Sequence, residues 1–229
     1  MKRQLTILIL LAINLTVFGQ HNLGLKVNGG LSRISNSLID VSNGTDKIQF
    51  ALSGCSGIFY NLHLNDKSIL EAELLFIQIE GRKHLEFDVT DGFGNKTGTA
   101  TDDIFEYISY LGLPVYYGLK LNKWIINLGF QVSFTLTSSA REKGQAPSNG
   151  EIITWDNKFD ELNIDSYDFG PRAGVIFNLN NRFAIEGTYY YGVNNILDND
   201  APNWLTWKVQ QATVGLRYTF LTVTKNNKE

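Results

Sequence analysis

The chain has 229 residues, a formal net charge of −3 and a single cysteine, Cys55. The near-neutral balance argues against a nucleic-acid partner, because neutralising a phosphate backbone requires an excess of Lys and Arg. One thiol cannot form an internal disulfide, and we expect Cys55 to pack as a small residue inside a strand. No Pro-, Gly- or Ser-rich linker divides the chain, so its length predicts one domain.

The N-terminus has the pattern of a secretory signal peptide. Lys2 and Arg3 precede an apolar run over residues 5–18, and a small residue stands at the position before the expected cleavage. This run is shorter than the ~20 apolar residues of a membrane-spanning helix, which disfavours the alternative of a retained anchor. We therefore predict a cleaved signal peptide at residues 1–19 and a single exported domain at residues 20–229.

Three short segments of similar sequence are predicted to form tight turns, at residues 64–67, 121–124 and 179–183. Each contains Leu-Asn and a basic residue, and Asn tolerates the left-handed backbone of a hairpin turn. Polar stretches rich in Gly, Asn, Asp, Ser and Thr alternate with these turns, at residues 33–47, 81–103, 139–166 and 194–206. The order of strand, long loop, strand and short turn predicts an all-β fold of eight antiparallel strands connected up and down.

The predicted strands have an apolar and a polar face that alternate with a period of two. The clearest apolar face consists of Trp124, Ile126, Leu128, Phe130, Val132, Phe134 and Leu136. Later strands carry Arg172, Glu186 and Arg217 in the middle of the opposite face. Lys or Arg on lipid at the bilayer midplane costs ~2–4 kcal/mol, so in a membrane these residues must face the lumen. The alternative is a soluble lipocalin-like barrel, whose interior would have to hold the large residues of every strand.

We therefore predict a transmembrane β-barrel in the bacterial outer membrane, with short periplasmic turns and long external loops. An eight-stranded barrel has room only for its own side chains. Ion pairing inside the lumen is thus preferred to the alternative of a gated path for small ions. The charged residues on the inward phase are Lys26, Glu71, Glu73, Lys120, Arg172, Glu186 and Arg217. The aromatic residues predicted at the membrane interfaces are Tyr60, Trp124, Tyr189, Tyr218 and Phe220.

Four segments carry a resemblance to a known family: residues 24–30, the hairpin at 65–76, residues 110–115 with their proline, and residues 213–220. Together they resemble the small outer-membrane barrel proteins of Bacteroidota, called PorT-like or porin-family barrels. The resemblance implies an outer-membrane barrel and, for some members, a link to protein secretion. Many such barrels end on the aromatic residue that the insertion machinery recognises, whereas nine residues follow Phe220 here. Either Phe220 still serves as that signal or the last strand extends further.

The sequence offers no recognisable catalytic or metal-binding motif. The three histidines, His21, His63 and His84, do not fall in a hydrolase or zinc-ligand pattern, and the acidic stretch at 88–95 does not have EF-hand spacing. We predict a non-enzymatic barrel with no cofactor and no metal, acting as an interaction, scaffold or secretion-accessory protein. Its predicted partners are outer-membrane lipid, the insertion machinery and secretion or envelope proteins. The alternatives are a narrow channel for small solutes or ions and, less favoured, a lipid-modifying enzyme.

Overall fold

The computed structural model describes residues 20–36, 44–91, 93–148, 151–197 and 206–223. The strands are β1 (Gln20–Asn36), β2 (Gly44–Gln49), β3 (Ala51–His63), β4 (Ser68–Thr90), β5 (Lys96–Leu121), β6 (Trp124–Ser148), β7 (Glu151–Phe159), β8 (Tyr167–Asn178), β9 (Phe183–Tyr191) and β10 (Trp207–Val223). Within these ranges, no helix is long and apolar enough to cross a bilayer. The predicted signal peptide at residues 1–19 lies outside the described residues.

Eight of the ten strands close into a ring in the order β1-β3-β4-β5-β6-β8-β9-β10. Every neighbouring pair is antiparallel, and β10 pairs with β1 to complete the barrel. The predicted eight-stranded antiparallel barrel is therefore confirmed. The last strand continues past Phe220 to Val223, which agrees with the second of the two alternatives for the chain end.

All three predicted tight turns are present, but they use Asn in two different ways. Asn122 is the only non-glycine residue in the described ranges with a positive φ, at 56°. Asn65 and Asn180 instead accept backbone hydrogen bonds through their side-chain oxygens, from the amides of Lys67 at 2.8 Å and Arg182 at 2.8 Å. Asn therefore stabilises the turns by a left-handed residue in one case and by side-chain capping in the other two.

On one side of the barrel the strands are much longer than a membrane requires. β5 has 26 residues and β6 has 25, whereas a tilted transmembrane strand needs only ~9–11. Two further strands extend this side, since β2 pairs with β4 and β7 pairs with β6. We call the resulting five-stranded layer the extramembrane sheet: β2, residues 82–90 of β4, 96–105 of β5 and 140–148 of β6, and β7.

The expectation of polar loops at residues 81–103 and 139–166 is wrong for most of their length. The first contains the end of β4, at Thr90, and the start of β5, at Lys96, and the second contains the end of β6 and all of β7. These strands carry many charged and polar residues, and their apolar residues alternate only over short runs such as Leu85, Phe87 and Val89. Backbone pairing nevertheless continues through them.

The apolar faces of the barrel strands point outward. Along β6, Leu128 is 66% exposed and Phe130 is 69% exposed, whereas Gln131 and Ser133 between the apolar residues are buried. A belt of this kind is stable against lipid and costly in water, at roughly 25 cal/mol per Å². The alternative of a soluble barrel with an apolar interior is therefore wrong.

Candidate functional site

Six of the seven charged residues predicted inside the barrel form one compact layer across the lumen. They come from five strands, and none is more than 4% exposed. We call this set the ionic layer: Lys26 on β1, Glu71 and Glu73 on β4, Arg172 on β8, Glu186 on β9 and Arg217 on β10. The alternation of each strand places these side chains inside, and the shared register places them at one height, as with Lys26 opposite Arg217.

The carboxylates of the ionic layer are bridged by two cations. The Lys26 ammonium lies 2.7 Å from Glu73 Oε1 and 2.6 Å from Glu186 Oε2. The Arg217 guanidinium donates two hydrogen bonds to Glu71, one of them at 3.0 Å, and lies 3.4 Å from Glu186 Oε1. Each glutamate is therefore held by at least one cation, and all three carboxylate side chains are inaccessible from outside the barrel.

Arg172 is held differently, since its guanidinium donates hydrogen bonds to neutral side chains. It donates to the Gln131 side-chain oxygen and, at 3.0 Å, to the Thr188 hydroxyl. The ionic layer as a whole contains three positive and three negative side chains and is neutral. Neutrality and hydrogen bonding are what allow charges to be buried at tolerable cost.

The ionic layer lies between two apolar layers that also fill the lumen. On the side of the tight turns, Ile69, Ile125, Ile176 and Ala184 form a small cluster. On the other side lies a larger cluster of Ile34, Cys55, Leu75, Ile77, Ile79, Ile108, Tyr110, Tyr190, Ile196 and Val209. The lumen was expected to be polar, but apolar layers lie on both sides of the ionic layer.

The far end of the larger cluster is closed by connecting segments as well as by strands. Ile196 is fully buried, and its carbonyl accepts a hydrogen bond from the Asp165 amide at 2.7 Å. Ile164 packs against the same cluster and pairs with Leu197. The segments after β7 and after β9 thus meet across the mouth of the barrel.

Lys120 does not join the ionic layer. It is the second-last residue of β5, next to the turn at Asn122, and its ammonium contacts His63 Nδ1. The inward phase of Lys120 was predicted from alternation, but its height along the barrel depends on where the strand ends.

A second buried ion pair lies above the ionic layer and was missed in the sequence. The Lys83 ammonium is 3.1 Å from Glu106 Oε1, and both side chains are nearly inaccessible. The same ammonium lies 4.6 Å from the centre of the Trp207 ring. Both residues fall in or beside a segment that was expected to be a loop, where no inward phase was assigned.

The five predicted interface aromatics lie toward the strand ends. Trp124, Tyr189 and Phe220 are about half exposed on the outer surface. The ring of Tyr218 packs against Phe183 with centroids 5.0 Å apart. Tyr60 is half-buried, and its hydroxyl lies 2.7 Å from His21 Nδ1.

Three carboxylates of the ionic layer lie close enough to one another to be considered as ligands of a metal ion. One oxygen from each of Glu71, Glu73 and Glu186 lies within 4.8 Å of the others. Lys26 and Arg217 already occupy the space between them and neutralise their charge. The arrangement fits an ion-pair network and not a cation cage.

Two titratable clusters lie in the extramembrane sheet. His84 contacts Asp103 at 2.9 Å and Glu86 at 3.1 Å, and these acceptors raise the pKa of the imidazole above its usual value. On the opposite face, burial and the neighbouring carboxyl of Glu142 raise the pKa of Asp102 to about 6. His63 lies at the other end of the barrel, where its Nδ1 accepts a hydrogen bond from the Lys120 ammonium.

The comparisons with known proteins agree with the architecture. A sequence model of the family described as outer membrane protein beta-barrel domain matches residues 18–198. No curated protein sequence matches the chain.

Several solved structures are similar to it at low identity. Neisserial surface protein A is 12% identical with a TM-score of 0.41, over 88% of this chain and 99% of that one. Ail, the attachment invasion locus protein of Yersinia pestis, is 15% identical with a TM-score of 0.38, over 88% and 99%. OprG from Pseudomonas aeruginosa is 13% identical with a TM-score of 0.37, over 88% and 96%.

Proposed function

Because the chain belongs to the outer membrane protein beta-barrel domain family, and is therefore a protein of the outer membrane, we propose that it is a non-conducting interaction protein. Its barrel is an anchor with a filled lumen, and its extramembrane sheet presents the binding surface. The partner is an envelope or secretion protein that supplies an extended segment.

The observation that carries this proposal is the free edge of β7. Within the described residues β7 pairs only with β6, so its other edge presents backbone N–H and C=O groups without a strand partner. Ile152 is 70% exposed and Ile153 is 54% exposed, one on each face of this edge. A long edge with exposed β-branched residues is a ready template for addition of another strand.

Side-chain contacts between β6 and β7 support the same function. Arg141 donates two hydrogen bonds to Asp156, at 2.7 and 2.6 Å, and ties β6 to β7. The Trp155 indole donates to Glu142 at 3.1 Å on the other face. An edge that is already ordered loses less conformational entropy when it binds.

The filled lumen supports the absence of conduction. A water-filled path would have to cross the ionic layer and both apolar layers, in which Leu75, Ile77 and Ile176 are at most 2% exposed. Opening it would require separating buried ion pairs, which is strongly unfavourable. The protein in planar bilayers should therefore show no single-channel steps, and reproducible steps would contradict this part of the proposal.

The binding role is tested by adding charged side chains to the free edge of β7. Ile152→Lys and Thr154→Lys together place two charges on that edge, which natural proteins use to prevent strand addition. The matched control is Phe93→Lys, an exposed residue at the β4–β5 turn of the same sheet. In cross-linked pull-downs from outer membrane of the native host, the edge variant should lose the partner that wild type and control recover. Equal recovery from all three proteins would contradict the proposal.

A further inference from the structure

A cavity opens at the end of the barrel that carries the tight turns. Its volume is about 940 Å³, which is within the range of small-molecule sites. We call it the periplasmic vestibule. Its walls include Asn61, His63, Lys120, Lys123 and Arg182, and its floor is formed by Phe59, Ile69, Ile125 and Ile176 above the ionic layer.

The charge of the vestibule is one-sided. Four of the residues that line it are cationic, Lys120, Lys123, Arg182 and Arg217, and none is Asp or Glu. Arg217 at the floor is paired with Glu71. Within the described residues, the other three make no ion pair with a carboxylate within 4.0 Å, although the Asp66 carboxylate attracts Lys120 from a greater distance. In the ionic layer directly beneath, by contrast, three cations are balanced by three glutamates.

A buried polar atom also points to a missing group. Asn61 is 8% exposed and lines the vestibule, and its Oδ1 has no hydrogen-bond partner within the described chain. A buried acceptor without a partner costs free energy, and a bound water or ligand would satisfy it. Asn22 Oδ1 also has no partner in the described residues. Exchanging the nitrogen and oxygen of the Asn22 side-chain amide would let this oxygen accept a hydrogen bond from His63, so Asn22 is not evidence for a ligand.

We propose that the periplasmic vestibule binds a phosphate monoester with a short apolar group. Lys120, Lys123 and Arg182 hold the phosphate at the mouth, because none of their positive charges is neutralised by a direct ion pair. The apolar group lies on the isoleucine floor, and the O–H of the singly protonated phosphate donates to Asn61. The phosphate can come from a soluble organophosphate or from the headgroup of a lipid such as phosphatidic acid, which present the same chemistry.

The proposal is tested with hexyl phosphate as the probe and the mature protein in phosphatidylcholine nanodiscs. Calorimetry should show saturable binding at a single site, weaker binding of inorganic phosphate, and no binding of the neutral hexyl glucoside. Affinity should fall as salt rises, because exposed charges are screened. Absence of saturable binding at millimolar probe, or equal binding of hexyl glucoside, would overturn the proposal.

Two variants and a control locate the site. Lys120→Gln with Arg182→Gln should weaken hexyl phosphate binding at least tenfold, and Lys123→Gln alone, at an exposed turn, should weaken it about threefold without risk to folding. Lys158→Gln, an exposed lysine at the opposite end of the protein, should leave binding unchanged. Equal affinities for all variants would overturn the site.

A competition experiment between hexyl phosphate and phosphatidic acid decides the source of the phosphate. If the lipid is the ligand, nanodiscs containing phosphatidic acid should reduce the binding of hexyl phosphate to the wild type. Unchanged binding in those nanodiscs assigns the site to a soluble organophosphate. The vestibule lies at the opposite end from β7, so the outcome is independent of the partner pull-down.

Discussion

Replacing Arg217 with Met should destabilise the barrel more than any exposed charge substitution. Arg217 is 3% exposed and contacts Glu71 and Glu186, and its guanidinium lies 3.9 Å from the centre of the Phe59 ring. Met has a similar unbranched stem and fills the space without charge. The substitution leaves two cations against three buried carboxylates, and breaking one side of a buried ion pair costs about 3–5 kcal/mol.

The compensating variant distinguishes lost charge balance from lost packing. Arg217→Met combined with Glu71→Gln restores two cations against two carboxylates. The double variant should therefore recover at least about 2 kcal/mol relative to Arg217→Met alone. The exposed control is Lys96→Met, which removes a pair with Asp88 whose side chains are 56% and 38% exposed. Such surface pairs contribute up to about 1 kcal/mol.

The measurement is equilibrium unfolding by guanidinium in lipid or detergent, followed by tryptophan fluorescence and by the mobility of unboiled protein on a gel. A loss below about 1 kcal/mol for Arg217→Met would refute the reasoning, because the ionic layer would then be hydrated or rearranged. A double variant that is less stable than the single one would show that packing and not charge balance dominates.

Three further outcomes are expected. Hydrogen bonds to Asp103 and Glu86 raise the pKa of His84 above 6.5. The stabilisation that His84 gives the sheet is therefore complete below pH 6.5 and is lost as the pH rises through the pKa of the folded state. NMR titration of Asp103→Asn should show a lower His84 pKa than in the wild type. The pKa of Asp102 is raised from 3.8 to about 6. The contribution of Asp102 to the free energy of unfolding is therefore fully present below pH 3.8 and is lost as the pH rises through about 6. Glu142→Gln should lower the Asp102 pKa, and an unchanged titration of this carboxyl would contradict the role assigned to Glu142. Leu75→Ala should lower the free energy of unfolding in guanidinium by about 2–5 kcal/mol, because Leu75 is fully buried. Leu74→Ala, on the lipid-facing side of the same strand, should lower it clearly less.

Alternation along the strands was enough to predict the barrel and the direction of its charged side chains. In residues 124–136 apolar and polar side chains alternate so regularly that only a strand with two different environments explains them. The same period places Arg172, Glu186 and Arg217 on the inward phase. Sequence alone could assign their side of the wall because a strand has only two sides.

The same reasoning failed where both faces of a strand have the same character. Leu74, Leu75, Phe76 and Ile77 are all apolar, although Leu75 and Ile77 face the lumen and the other two face lipid. The upper apolar layer was therefore missed. In the extramembrane sheet charged and polar residues stand on both faces and apolar alternation is confined to short runs, so the strands were mistaken for loops.

The sequence by itself thus determined the strand periodicity, the turns, the inside and outside of the wall, and the outer-membrane class. Only the tertiary structure decided the height of each residue along the barrel and its partner across the lumen. Arg217 binds Glu71 from 146 residues away, whereas Lys120, with the same inward phase, lies near the turns and contacts His63. Alternation specifies a face, but the register of eight strands specifies which charges meet, and that register is a property of the closed ring.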